Sequence, residues 1–353
     1  MRILCFSVNP VNYRAANYQQ EFLHELARQT SVTFYGPGFP NFDPALDSDG
    51  VASLIKNGRG YDCIVTSHTW ISEVDGKSQP CSRLDLSSIN IPKIGILNKE
   101  YRHLSDKLSY FNRNRFDVIL SHHQDISEIG RGSQLEFVFW PFAVDGGKVS
   151  AEKKKTIDVG FSGILRNEYV PELQGDLRRD LMKEIFWTIG DLPIAKRLAY
   201  CELDIVWNAI PRSRRGEAVH WGYRGLKRIF PKYAYKRLPD DEYFEFLAQS
   251  KIIICTLSPL GLVSPRVYES MASGCVVLCE SSDEYRKIFP TDTYITFDSP
   301  MVDFSKRIHG ILQDRSLMEQ VSRKAKIFVD EHHTWSTRVG QLISKSKEIS
   351  GRK

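Results

Sequence analysis

The chain has 353 residues, 42% hydrophobic and 26% charged, a composition typical of a globular protein with more than one hydrophobic core. No window approaches the roughly 18 consecutive apolar residues of a membrane span. The seven cysteines lie mostly in apolar runs, which predicts buried free thiols. The net charge of +5 is uneven, because residues 1–150 hold 15 basic and 16 acidic residues whereas the remainder holds 33 and 27. The basic half is therefore expected to face an anionic ligand.

The first half alternates apolar strands with polar or amphipathic stretches. Between the first two strands, the segment from Ala15 to Arg28 carries its apolar residues at a helical spacing. The predicted strands are Ile3–Val8, Val32–Tyr35, Cys63–Thr66, Ile94–Leu97, Val118–Ser121 and Phe137–Trp140. Arg2–Val8 lacks the longer apolar core and the cleavage site of a secretory signal. Short apolar strands separated by helices predict a parallel sheet covered on both faces, a doubly wound domain over residues 1–150.

The pattern restarts after the turn residues of Pro141–Gly147. Further strands are predicted at Ile157–Gly163, Asp204–Trp207, Ile252–Thr256, Val276–Cys279 and Tyr294–Phe297. Helices are predicted at Asp241–Gln249, Pro265–Ala272, Asp283–Ile288, Asp303–Val329 and Ser336–Ile349. The expected organisation is a second α/β domain over residues 151–335, followed by a C-terminal helix in residues 336–353 that packs back on the first domain.

The most informative segment runs from Leu262 to Leu278. Ser264 suits the N-cap of a helix, Pro265 suits its first position, and Gly274 suits its C-terminal stop. A short helix is therefore predicted between a turn and a buried strand. Its N-terminus presents unpaired N–H groups and a partial positive charge, which makes it a phosphate site.

Two charged residues on this short helix match the two ends of a nucleoside diphosphate. The guanidinium of Arg266 suits diphosphate oxygens, and Glu269, one helical turn later, can accept hydrogen bonds from two ribose hydroxyls. The alternative is that the two residues form an ordinary ion pair on a helix surface. The cap, the glycine stop and the placement between two buried strands favour the ligand interpretation.

This segment resembles the donor-binding helix of GT-B glycosyltransferases, particularly the CgeB-like branch of the group-1 (GT4-like) transferases. Arg266-x-x-Glu269 followed by Ala-x-Gly and an apolar strand carries the resemblance, which Asp158–Gly163 and His332–Arg338 extend. It implies two Rossmann-like domains that face a cleft, with the nucleotide-sugar on the C-terminal domain and Gly163 near the reacting sugar. Many group-1 members carry a second glutamate eight residues before the one that matches Glu269, but this chain has Gly261 there.

Three sites in the first half follow predicted strands, where ligands of open α/β sheets bind. They are His68, the stretch Asn98–Tyr101, and the pair His122 and His123. A histidine here could act as a base or hydrogen-bond a phosphate or sugar, or it could cap its strand structurally. We expect no metal, because two adjacent histidines rarely chelate one and no acidic partner has a convincing spacing.

Two further features of the second half have open interpretations. Arg166 follows the strand that ends at Gly163, so it could neutralise the leaving diphosphate, or it could be an ordinary solvated arginine. Residues 212–237 interleave basic and aromatic side chains. They fit peripheral contact with an anionic membrane or, less well, nucleic acid, whereas an ordinary basic loop and helix is the interpretation that we favour.

The resemblance predicts a cytoplasmic glycosyltransferase of polysaccharide biosynthesis, retaining and metal-independent. It moves a sugar from a nucleotide-sugar donor to a glycan, lipid-linked or other hydroxyl acceptor and uses no further cofactor. The expected catalytic candidates are His68, His122, His123 and Arg166. The expected donor-binding residues are Gly163, Ser264, Pro265, Arg266 and Glu269. Two alternatives are a non-catalytic scaffold that keeps a nucleotide pocket and a nucleotide-sugar epimerase of GT-B fold.

Overall fold

The computed structural model describes residues 1–10, 17–40, 42–43, 60–70, 84–149, 153–161, 240–298 and 303–352. The chain divides into two compact units. Unit 1 combines Met1–Asp145 with His332–Lys353, and unit 2 is Gly146–Glu331. The predicted strand Asp204–Trp207 lies outside the described residues.

The described elements, in chain order, are strands and helices of both units. In unit 1 and at the start of unit 2 they are β1 (Arg2–Phe6), α1 (Asn17–Gln29), β2 (Ser31–Tyr35), β3 (Cys63–Thr66), β4 (Lys93–Leu97), α2 (Leu104–Arg113), β5 (Val118–Ser121), α3 (Ile126–Ile129), β6 (Glu136–Phe139) and β7 (Ile157–Phe161). They continue with α4 (Asp240–Gln249), β8 (Ser250–Cys255), α5 (Pro265–Ala272), β9 (Val276–Glu280), α6 (Asp283–Arg286), β10 (Ile295–Phe297), α7 (Phe304–Gln313), α8 (Arg315–His332) and α9 (Trp335–Arg352).

Unit 1 is built on a parallel sheet with the strand order β2-β1-β3-β4-β5-β6. Alternate residues of each strand enter two apolar cores, one on each face. Ile3 and Cys5 of β1 pack with Phe22 of α1, whereas Leu4 packs on the opposite face with Phe111 of α2. Because both faces are covered, the central strands β1, β3, β4 and β5 are almost wholly buried and mostly apolar, as the sequence predicts for a doubly wound α/β sheet.

The C-terminal helix α9 completes the core of unit 1 by packing against α1. Trp335 is buried at its start, and its indole Nε1 donates to a carboxylate oxygen of Glu21 over 2.9 Å. Arg338 donates from Nε to the carbonyl of Pro141 over 2.8 Å, and the backbone of His333 accepts from Val144. The His332–Arg338 pattern thus holds α9 on unit 1 through buried polar contacts.

Unit 2 contains a second parallel sheet with the described order β10-β9-β8-β7. Its core joins Ile252, Ile254 and Leu278 of the central strands with Phe304 and Ile308 of α7. The five described cysteines of the chain are all buried and free, which agrees with the expectation of reduced thiols.

The single helix predicted over Asp303–Val329 is two helices. The chain leaves the helical conformation at Asp314, which has φ −91° and ψ 82°. The carboxylate of Asp314 then accepts a hydrogen bond from Leu317 N over 2.9 Å and so starts α8. Apolar spacing continues across this break, which is why the periodicity alone did not reveal it.

Candidate functional site

Helix α5 lies between β8 and β9, and its bounds are the predicted Pro265–Ala272. Ser264 occupies the N-cap position in an extended conformation, with φ −75° and ψ 155°. Its side chain makes no capping hydrogen bond, contrary to the expectation for a serine at this position. Its Oγ is instead buried and has no hydrogen-bond partner among the described residues. The first turn has no N–H at Pro265, and the N–H of Val267 donates to the carbonyl of Ser264 over 3.1 Å. The N-terminus of α5 therefore offers a ligand the Ser264 hydroxyl and the positive end of the helix dipole.

The opposite end of α5 carries positive groups. Gly274 adopts φ +68°, the left-handed stop that the sequence predicts. The ammonium groups of Lys155 and Lys326 donate to the carbonyls of Ser273 and Ala272 over 3.0 and 3.1 Å. These cations interact favourably with the negative end of the helix dipole. The positive end at the N-terminus is left to interact with an anionic ligand.

Arg266 and Glu269 lie one turn apart on α5 but in different surroundings. Arg266 is half-buried, whereas Glu269 is only 7% exposed. One carboxylate oxygen of Glu269 accepts a hydrogen bond from the hydroxyl of Tyr243, on α4, over 2.6 Å. Burial, and next the negative charge of Glu269, raise the pKa of Tyr243, and the positive charge of Arg266 opposes that rise. The three polar groups therefore form one cluster, which differs from a solvated ion pair on a helix surface.

The loop from β8 to α5 folds back on itself at the carboxyl edge of the sheet. The backbone N–H of Ser258 donates to the carbonyl of Leu262, and the turn between them passes through Leu260 at φ +63° and Gly261 at φ +76°. A glycine suits the second conformation, and a side chain at position 261 would be strained by the backbone alone. The loop therefore has a backbone reason for the glycine that replaces the glutamate of many group-1 members.

A buried carboxylate holds this loop to the end of β9. Glu280 accepts a hydrogen bond from the backbone N–H of Leu257 over 2.7 Å and another from the hydroxyl of Tyr285 over 2.9 Å. Sequence reasoning did not select Glu280 or Tyr243. Each acts on a residue more than 20 positions away, on a neighbouring element, so no local spacing marks it.

His68 and His122 lie at the carboxyl ends of β3 and β5, where the sequence places them, and are buried against each other. His122 Nδ1 donates to the carbonyl of Trp140 over 2.7 Å, and the two Nε2 atoms are 2.8 Å apart, so His122 Nε2 accepts from His68 Nε2. Burial lowers the pKa of both rings, that of His122 to about 3. This geometry favours the structural alternative for the pair over a role as a base near neutral pH.

A second polar group at this edge joins His123 to Glu100. The ring Nδ1 of His123 accepts from Asp125 N over 3.1 Å, so its Nε2 carries the proton. Ser121 Oγ accepts from His123 N and donates to Glu100 Oε1, both over 3.1 Å. Glu100 is 2% exposed, and its Oε2 has no partner among the described residues. Burial is the main cause that raises the pKa of Glu100.

Three predictions fall partly or wholly outside this geometry. Gly163, Arg166 and the basic stretch 212–237 lie outside the described residues. Among the residues that the structure does describe, no group of three or more histidine, cysteine, aspartate or glutamate side chains could hold a metal ion. None of the described helices combines the length and the apolar character needed to cross a membrane.

Comparison with known proteins matches residues 203–344 to the family model described as glycosyl transferase-like. No curated protein matches the sequence. Among solved structures, the chain is similar to sucrose-phosphate synthase from Thermosynechococcus elongatus, with a TM-score of 0.61, 11% identity and 100% of both chains covered.

Two further solved structures are also similar over nearly their whole length. HepE of Anabaena in complex with UDP and glucose has a TM-score of 0.61 and 11% identity and covers 99% of this chain and 100% of its own. AviGT4, a glycosyltransferase involved in avilamycin A biosynthesis, has a TM-score of 0.54 and 11% identity, with 99% of this chain and 98% of its own covered. The fold that the resemblance implies is thus confirmed: the chain has the GT-B fold, and residues 203–344 match the glycosyl transferase-like family model.

Proposed function

We propose that this chain is a glycosyltransferase that binds the nucleotide part of a nucleotide-sugar at α5 and transfers the sugar to a hydroxyl acceptor. The observation that supports it most directly is the convergence at the N-terminus of α5. The positive end of the helix dipole, the buried Ser264 Oγ and the side chain of Arg266 lie there, and Glu269 follows one helical turn later. Because HepE of Anabaena is recorded with UDP and with UDP-glucose, a uridine nucleotide is the first donor to examine.

The proposed reaction breaks the bond between the anomeric carbon and the diphosphate and forms a new bond to the acceptor oxygen. The negative charge that develops on the leaving nucleoside diphosphate is stabilised by the positive end of α5 and by Arg266. These groups take the electrostatic role that a metal ion fills in other transferases, so the proposed mechanism needs none. Retention of the anomeric configuration belongs to the proposal as the group-1 resemblance implies it, with the acceptor proton leaving on the diphosphate.

The proposed acceptor site is the carboxyl edge of the unit 1 sheet, where His123 and Glu100 lie. His68 and His122 are proposed to support this edge rather than to exchange protons with substrate, since both ring nitrogens of His122 and the Nε2 of His68 are used in hydrogen bonds within the protein. A glycan or lipid-linked acceptor, a cytoplasmic location and a peripheral membrane contact through residues 212–237 remain predictions from the sequence.

The test is release of nucleoside diphosphate from UDP-, GDP- and ADP-sugars in the presence of EDTA. Water can replace the unknown acceptor at a slow rate, and Arg266→Ala should lower that rate about 100-fold or more because it removes a donor to the leaving group. Arg315→Ala, which removes an exposed arginine of the same unit, serves as the control.

The outcomes separate the competing functions. Release that depends on Arg266 supports a transferase. Conversion of the sugar within an intact nucleotide-sugar would identify an epimerase. Nucleotide binding with neither reaction, in the presence of glycan and polyprenol acceptors, would identify a scaffold.

A further inference from the structure

The hydroxyl of Tyr243 stands out among the polar groups of unit 2 because it contacts the proposed ribose-binding carboxylate from a different helix. Tyr243 belongs to α4, and Glu269 belongs to α5. The two helices pack against each other, and the hydroxyl donates to Glu269 Oε2 over 2.6 Å. A donor to a carboxylate at this distance makes a strong, charge-assisted hydrogen bond.

The chemistry of this contact suits a carboxylate that must also bind a ligand. An ionised carboxylate has about four lone-pair sites, so a hydrogen bond from one tyrosine hydroxyl does not exclude hydrogen bonds from ribose hydroxyls. A lysine or arginine in place of Tyr243 would neutralise Glu269 and compete with the ribose. A neutral hydroxyl fixes the orientation of the carboxylate and leaves its negative charge intact.

The surroundings of Tyr243 also separate the two charges of α5. The hydroxyl lies close enough to Arg266 for the guanidinium to act on its pKa, while its hydrogen bond goes to Glu269. The hydrogen bond therefore holds the Glu269 carboxylate on the α4 side of α5. The ring of Tyr243 packs beside Phe244, with the ring centroids 5.4 Å apart. This packing would remain if only the hydroxyl were removed.

We propose that Tyr243 is a positioning residue for the nucleotide: its hydroxyl orients the Glu269 carboxylate toward the ribose hydroxyls and so sets the preference for a ribonucleotide. This inference rests on the proposed function, because it assigns Glu269 to the ribose. It concerns a residue that neither the motif on α5 nor its spacing indicates.

The experiment compares UDP with 2′,3′-dideoxy-UDP, which lacks the ribose hydroxyls, on wild-type protein and on Tyr243→Phe, by calorimetric titration. Wild-type protein should bind UDP more tightly than the dideoxy nucleotide. Tyr243→Phe should weaken UDP binding about tenfold, the loss of one hydrogen bond to a charged group, and leave dideoxy-UDP binding nearly unchanged. The guanosine and adenosine pairs are titrated in the same way, so the result does not depend on the base.

Tyr285→Phe provides a matched control. It removes another buried tyrosine hydroxyl that donates to a carboxylate in the same unit, that of Glu280. Any effect of Tyr285→Phe should be the same for both nucleotides. Melting temperatures of all variants are measured alongside. Should Tyr243→Phe fold poorly, it is repeated in a Glu269→Gln background, where the proposal predicts no further loss of ribose preference.

Each outcome decides the proposal. Loss of the ribose preference in Tyr243→Phe, with the preference kept in Tyr285→Phe, supports it. Equal weakening of both nucleotides by Tyr243→Phe, or a preference that survives it, would overturn the positioning role while the proposed function stands. Equal binding of both nucleotides by wild-type protein would remove Glu269 from the ribose and the proposal with it. Failure of wild-type protein to bind any nucleotide would instead refute the proposed function.

Discussion

Glu100 is a buried carboxyl residue whose surroundings are expected to lower the stability of the folded protein. Its carboxyl group is buried at the end of β4, and Oε2 has no partner among the described residues. Burial raises its pKa, and Ser121, His123 and Lys107 only partly offset that rise. A carboxyl group with a raised pKa favours the folded state below its unfolded pKa and opposes it as the pH rises through the folded value. Unpaired buried polar groups of this kind are typical of functional sites, which agrees with the proposed acceptor edge.

We therefore predict that Glu100→Gln stabilises the protein near neutral pH. The amide cannot ionise, so it avoids the desolvation of a negative charge, and the melting temperature should rise by about 2–4 °C at pH 7.5. The gain should disappear near pH 3, where the wild-type carboxyl group is protonated in both states. Differential scanning fluorimetry across this pH range measures it. Glu136→Gln, at an exposed carboxylate paired with Lys345, is the control and should give no gain. A lower melting temperature for Glu100→Gln at pH 7.5 would refute the prediction.

At the scale of elements, the loop between β8 and α5 determines how the helix N-terminus is presented. Its turn includes Leu260, a non-glycine residue at φ +63° with an exposed side chain, and such backbone strain persists only where the surroundings enforce it. The hydrogen bond from Leu257 N to Glu280 is the contact that ties the loop to β9. Glu280 thus supports the site without any direct role in the proposed chemistry.

Glu280→Ala should destabilise unit 2 and loosen the loop. The buried N–H of Leu257 would lose the Glu280 acceptor, at a cost of about 1–3 kcal/mol, whereas Glu280→Gln retains an acceptor oxygen and should lose less. Urea denaturation gives the free energies of unfolding, and hydrogen exchange of the peptide that contains Leu257 reports the loop. Glu319→Ala on the exposed face of α8 is the comparison. Equal stability and equal exchange in all three variants would show that the contact does not hold the loop.

The sequence predicts elements well where the determinant is local. The strands Cys63–Thr66 and Val118–Ser121 and the helix Pro265–Ala272 have their predicted bounds, because apolar runs and the cap, proline and glycine signals mark them directly. The break at Asp314 was missed, since the apolar spacing continues through it. Tyr243 and Glu280 could not be found in this way, because packing between elements brings them to their partners.

At the scale of the whole molecule, the two units should differ in their response to acid. Unit 1 buries His68, His122 and His333, and burial lowers the pKa of each, to about 3 for His122 and His333. The unfolded chain binds protons at these rings from about pH 6.5 downward, whereas the folded unit does not. Each histidine therefore contributes stability that is complete above about pH 6.5 and is lost as the pH falls toward the folded pKa. Glu100 acts in the opposite direction.

Unit 1 should consequently lose its protection from hydrogen exchange before unit 2 does when the pH is lowered. Each of the three rings weakens the fold by about 1.4 kcal/mol per pH unit below its unfolded pKa. Hydrogen exchange by mass spectrometry, corrected for the intrinsic pH dependence, should show peptides of β3 and β5 opening at a higher pH than those of β8 and β9. Simultaneous loss of protection in both units would argue against a specific contribution of the buried histidines.

In the proposed function, α5 binds a nucleoside diphosphate through its N-terminus, Arg266 and Glu269. The measurement that tests it most directly is the thermal shift of the purified protein with UDP, GDP, ADP and CMP and their sugars, in the presence of EDTA. A ligand at 100 times its dissociation constant stabilises the native state by about 2.7 kcal/mol. We expect a clear rise in melting temperature with one nucleotide, unaffected by EDTA and lost in folded Arg266→Ala and Glu269→Ala. No shift with any nucleotide, or a shift that both variants retain, would contradict it.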